Sequence, residues 1–166
     1  MEKYEFSYKE FMMKKIVLLL VSILLLFVSC SSTPEQTSQQ EQEKVDQAFE
    51  EVYNHFGQML ILDGAQEYRV RSGDTLSKIA NKFYGQGNGY YFPLIMLASS
   101  ETVLDPDTIL PGMVLTVPDL AKNLNDTSVH GNLKNFFTEI ADVYKNKRTE
   151  AAPTIRKELL KIANSF

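Results

Sequence analysis

The sequence is short of the residues that most chemistry needs: one cysteine in 166 residues, two histidines, no tryptophan. A lone thiol, Cys30, excludes an intrachain disulfide framework and any cysteine-based zinc site. His55 and His130 lie in no metal-ligand spacing such as H-E-x-x-H, and neither a nucleophile elbow nor a serine triad pattern occurs. Asp105 and Asp107 flank Pro106, and although paired carboxylates can hydrolyse glycosides, a D-P-D turn accounts for both. No catalytic residue, cofactor or metal ligand is therefore assigned, and the chain reads as a non-enzyme. Seventeen basic against 21 acidic residues give a net charge of −4, which offers no electrostatic footprint for nucleic acid.

No apolar run is long enough to stay in a bilayer. Ile16 to Val28, interrupted by Ser22, falls short of the about 20 residues a membrane-crossing helix needs. Behind Lys14-Lys15 it has the charged start and short apolar core of a secretory signal. Phe27-Val28-Ser29-Cys30 then resembles a bacterial lipobox, which implies that residues 1–29 are a lipoprotein signal peptide and that Cys30 is lipidated. The expected location is the cell envelope, anchored at the membrane and facing the periplasm or cell wall. Glu2, Glu5 and Glu10 do not suit a signal's start, and a translation start at Met12 or Met13 removes them. Without residues 1–29 the chain keeps 13 basic and 18 acidic residues. Residues 30–44 read as a flexible linker. The stretch Ser31 to Lys44 spans roughly 20 Å as a coil and at most about 46 Å extended.

The segment from Tyr68 to Pro118 has the fullest punctuation. Tyr68-Arg69-Val70-Arg71 alternates as a strand does, and Ser72-Gly73 ends it at a residue free to take positive φ. Asp74 stands where an N-cap belongs, ahead of Leu76, Ile79, Ala80 and Phe83 on one helical face. Pro93 opens a second helix through Leu94, Ile95, Leu97 and Ala98. Turns at Asp105-Pro106-Asp107 and Pro111-Gly112 precede the strand Met113 to Val117, closed by Pro118. The order is β-α-α-β.

Val70-x-Ser72-Gly73-Asp74-Thr75-Leu76-Ser77-x-Ile79-Ala80 and Ile109-x-Pro111-Gly112-x-Val114-Leu115-x-Val117-Pro118 resemble the two ends of a LysM domain, set at residues 67–118. The resemblance implies an α+β fold, a two-stranded antiparallel sheet with both helices on one face, that binds N-acetylglucosamine-containing glycans such as peptidoglycan or chitin. The implied site is a shallow groove between the loop after the first strand and the loop before the second. There Gly73 admits the ligand close to the backbone, and Asp74 and Thr75 offer polar groups. Leu76, Ile109 and Leu110 form an apolar floor, and Asp107 and Thr108 form the opposite lip. The same residues have local tasks too: Asp74 as a cap, Thr75 and Asp107 in turns, Leu76 and Ile109 in the core. Of the neighbours Ile109 and Leu110, alternation sends one inward, and Leu110 is the expected ligand contact. Where many LysM members have a tryptophan or similar aromatic before the second helix and an asparagine near its end, this chain has Tyr91 or Phe92, and Ser99.

The flanks read as amphipathic helices. Val45, Phe49, Val52, Tyr53, Phe56, Met59 and Leu60 form one stripe, giving a helix within residues 45–65 that stops near Asp63-Gly64. In the helical extension 119–166, Leu133, Phe136, Phe137, Ile140, Ala141 and Tyr144 form a second stripe. Ile155, Leu159, Ile162 and Phe166 form a third. Such short helices need a surface to bury, so they are expected to pack on one another and on the central unit. The function this implies is a lipoprotein tethering the membrane to peptidoglycan. The alternative is an envelope adaptor in which the LysM unit is structural and the helical flanks receive a protein partner.

Overall fold

The computed structural model describes residues 34–166, and the Cα positions divide the chain into residues 1–39 and 40–166. The expected signal segment and Cys30 lie outside the described residues. Helix α1 runs from Pro34 to Phe56. The linker expected over residues 30–44 is thus helical from Pro34 onward, because Glu, Gln and Lys are good helix formers even without apolar residues. The helix also ends earlier than the apolar stripe implied: Gly57 follows its last residue, and Met59 and Leu60 reach the core from a loop. Asp63-Gly64 still makes a turn, with Gly64 at φ 80°.

Strand β1 (Gln66–Arg69) pairs antiparallel with β2 (Val114–Val117), Tyr68 opposite Leu115 and Gln66 opposite Val117. Tyr68, Leu115 and Val117 are buried, as the pleat requires of alternate residues on one covered face. Between the strands lie α2 (Leu76–Tyr84) and α3 (Phe92–Ala98), preceded by a 3₁₀ turn at Gly89–Tyr91. Pro93 sits in the first turn of α3, where its missing N–H costs no helical bond. Ser99, just past α3, fixes that helix to the sheet: its Oγ accepts from Thr116 N (2.8 Å) and donates to Thr116 O (3.3 Å). The fold is α+β, the expected β-α-α-β unit with helical flanks.

The C-terminal extension forms α4 (Leu120–Asn125), α5 (His130–Asn146) and α6 (Ala152–Ala163). The short α4 has no apolar stripe to announce it. Asp119 caps its start by accepting from Lys122 N, and Asn123 is buried, bonded to both N and O of Ile61. Every residue named in the α5 stripe is buried. In the third stripe Leu159 is buried, while Ile155, Ile162 and Phe166 are half-buried at its margin.

One hydrophobic core joins the flanks to the β-α-α-β unit. Rings carry the junction. Phe49 of α1 and Phe92 of α3 both meet Tyr144 of α5 edge-on, at 5.9 and 6.4 Å between centroids. Tyr91 meets Phe137 at 5.8 Å and Phe56 meets Phe136 at 5.6 Å. Each of the fully buried rings among these contributes about 1.5–3 kcal/mol, so the extension is an integral part of residues 40–166.

Candidate functional site

Because the strands are antiparallel, the end of β1 and the start of β2 meet at the same end of the sheet. Past the paired residues Val70 N donates to Met113 O (2.8 Å) and Gly112 N to Val70 O (2.9 Å). Arg69 Nη1 reaches Gly112 O at 2.9 Å. These bonds bring the loop 71–75 beside the loop 109–112, which is the juxtaposition the sequence implied.

The first lip is held by Asp74, though not in the role expected of it. Thr75 is the N-cap of α2, its Oγ1 accepting from Lys78 N at 3.3 Å. Asp74 Oδ2 instead accepts from Arg71 N and from Tyr68 Oη, both at 2.8 Å. A carboxylate that reaches back across the turn caps the turn, leaving the helix to its neighbour. These two donors, the backbone N–H of Arg71 first, hold the Asp74 carboxyl below the usual range, and donation to Asp74 pushes the Tyr68 phenol up. Gly73 adopts φ 82° and a Cβ there would meet nothing within 4 Å, so its turn faces open space. Lys78 Nζ donates to Gly73 O at 2.9 Å.

The second lip starts from the buried Asp105, which precedes a 3₁₀ turn at Pro106–Thr108. Asp105 Oδ1 accepts from Asp107 N (2.8 Å), and Asp105 O accepts from Thr108 N (3.1 Å) and Thr108 Oγ1 (2.7 Å). The hydroxyl of Thr108 is therefore committed to its own turn. Lys147, from the connection between α5 and α6, enters this turn. Its Nζ lies 2.5 Å from Asp105 Oδ1 and 2.6 Å from Asp107 Oδ2, with the Lys147 side chain only 4% exposed. Gln42 of α1 donates to Asp105 Oδ2 at 2.8 Å. The loop then runs outward through the half-buried Ile109 to Leu110, which is 61% exposed.

Of the eight expected site residues, Gly73, Asp74 and Thr75 lie in the first loop, and Asp107, Thr108, Ile109 and Leu110 lie in the segment that leads to the second. Leu76 is 3% exposed and belongs to the core, so it offers no floor to a ligand. Tyr91 and Phe92, the aromatics before the second helix, are turned to α5. Lys147 and Gln42 carried no local signal, since one is a polar residue just past the end of α5 and the other a polar residue within α1, and only tertiary folding brings them to Asp105. Among the described residues no group of three His, Cys, Asp or Glu side chains could hold a metal ion.

The LysM family pattern matches residues 68–118. Over 55 residues the chain is 44% identical to the potassium binding protein Kbp of Escherichia coli O6:H1, a match covering 33% of this chain and 36% of that protein. Two Mycobacterium tuberculosis proteins named as esterases, from strains CDC 1551 and H37Rv, are each 35% identical over 66 residues, or 40% of this chain and 14% of theirs. The chain thus spans about a third or less of the length of these relatives. No solved structure matches it. LysM domains bind N-acetylglucosamine-containing glycans such as peptidoglycan; residues 68–118 are such a domain, and the chain is a LysM-containing protein.

Proposed function

We propose that this chain is a non-catalytic lipoprotein that binds peptidoglycan through its LysM domain and tethers the membrane to the cell wall. The observation that carries the glycan reading is the pairing, at one end of the sheet, of an open glycine turn at Gly73 with an outward leucine at Leu110. A glycine turn lets a sugar approach main-chain groups, and an exposed apolar side chain can cover an acetamido methyl or a pyranose face. Such a shallow surface supports weak capture, with a Kd between millimolar and micromolar, or about 4–8 kcal/mol. Anchoring through a lipidated Cys30 raises the local concentration and makes weak capture useful. The lipobox-like Phe27-Val28-Ser29-Cys30 supports that anchor, and with it a place in the cell envelope.

The test is retention on purified, protein-free peptidoglycan and on soluble N-acetylglucosamine oligomers. Saturable retention that soluble oligomer displaces supports the reading. Retention only in whole envelope extract would replace it with the adaptor reading, in which the helical flanks hold a protein partner.

A further inference from the structure

Three separate parts of the chain converge on the Asp105 carboxylate. Gln42 comes from α1, Lys147 from beyond α5, and Asp107 N from the turn itself. Lys147 does more than neutralise Asp105, because the same Nζ holds Asp107, whose side chain is 56% exposed on the lip. The ammonium also lies over two rings, 5.7 Å from the centroid of Phe49 and 5.6 Å from that of Tyr144. A lysine this buried is costly unless opposite charge and π faces surround it, and here both do. The result is a rigid strut from the C-terminal helices to the loop that presents Ile109 and Leu110.

We infer that Lys147 is a positioning residue for glycan binding: by holding Asp105 and Asp107 together it sets the second lip of the groove, so the LysM site is completed by residues outside the LysM domain. This rests on the glycan reading above. Lys147 acts through Asp107 and the backbone of 106–110, touching no ligand itself. Fixing the lip before the ligand arrives spares the ordering that a loose loop would undergo on binding. The LysM segment taken alone would have the same sequence at its lip, with Asp105 lacking both Lys147 and Gln42.

The test uses the full chain. Lys147→Met leaves a buried carboxylate uncompensated and lowers the melting temperature. Lys147→Met with Asp105→Asn removes both charges, restores most of the melting temperature, and still leaves Asp107 unheld. Each protein is titrated with a soluble N-acetylglucosamine tetramer, and amide exchange is followed at Asp107 and Thr108. In the folded double variant, tetramer affinity is expected to fall roughly 3- to 30-fold. Exchange at those two amides is expected to rise about tenfold, with the core amides of α5 unchanged. A role in stability alone would leave tetramer affinity at the parent value once the melting temperature is restored, and that result overturns the inference. Unchanged exchange at Asp107 and Thr108 overturns it as well, whatever the affinity. Failure of the parent chain to bind either tetramer or peptidoglycan is a different result: it removes the glycan reading, and with it the ligand this lip is said to serve.

Discussion

Leu110 and Leu76 were both expected to touch sugar, and their surroundings separate them. Leu110 is 61% exposed and Leu76 3% exposed. Replacing Leu110 with Asp alters a surface position, so stability should stay within about 0.5 kcal/mol of the parent. If the exposed part of that side chain is covered by a sugar, the loss of binding follows from the same fraction. Full burial of a leucine is worth about 1.5–3 kcal/mol, so the uncovered portion is worth about 1–2 kcal/mol, or roughly 5- to 30-fold in Kd. Leu76→Ala does the reverse. It opens a cavity costing about 2–5 kcal/mol, a large part of the about 5–15 kcal/mol that holds a domain together. At about 4 °C per kcal/mol its melting temperature should drop by roughly 8–20 °C, while any folded fraction binds normally. Calorimetric melting and titration with a soluble N-acetylglucosamine oligomer, run on the same preparations, give both numbers. Parent affinity in a fully folded Leu110→Asp protein would refute the assignment of this end of the sheet as the sugar contact.

Three further outcomes are expected. The Asp74 carboxyl is held below its unfolded value of about 3.9, so its stabilisation is complete above that pH and is lost as pH falls through the lower folded value. Asp74→Asn should therefore melt below the parent at neutral pH, with the gap closing below about pH 4; a gap independent of pH would mean that the Arg71 and Tyr68 bonds do not depend on the charge. Removing residues 129–166 uncovers Phe49, Phe56 and Phe92, each about 1.5–3 kcal/mol of burial, and should strongly lower or abolish the LysM melting transition; an unchanged transition would show two independent modules. Cys30→Ser should move the protein from the membrane to the soluble fraction, and full membrane retention at unprocessed mass would show that Ile16 to Val28 is a retained anchor.

The β-α-α-β order was legible because each of its boundaries is local chemistry: Gly73 at a positive φ, Pro93 in a first turn, Pro111-Gly112 before a strand. The apolar stripe of α5 was legible because a helix repeats its buried face, and all six named residues are buried. What could not be read was long-range or compositional. The polar start of α1 carries no apolar period, so propensity alone had to reveal it. Asp74 and Thr75 are both competent caps, and only the position of Tyr68 Oη and Arg71 N decides which one faces the turn. Lys147 lies 42 residues from Asp105. Its role depends on α5 and α6 folding back onto the loop, which no spacing rule encodes. The two loops expected to flank the site do lie side by side, while Leu76 falls in the core and Lys147 and Gln42 join the second loop from outside it.

Ser99 bears on how copies of this chain tolerate crowding. A two-stranded sheet has two bare rims, and a bare rim is a template on which another chain can add a strand. On the β2 side, both main-chain groups of Thr116 are already occupied by a single serine hydroxyl. That plug stands in the middle of a four-residue strand, too short to offer a second stretch of continuous pairing beyond it. A population gathered at high density would therefore find this rim closed to strand exchange, and Ser99→Ala, by unplugging it, would make the rim a candidate for sheet-to-sheet association.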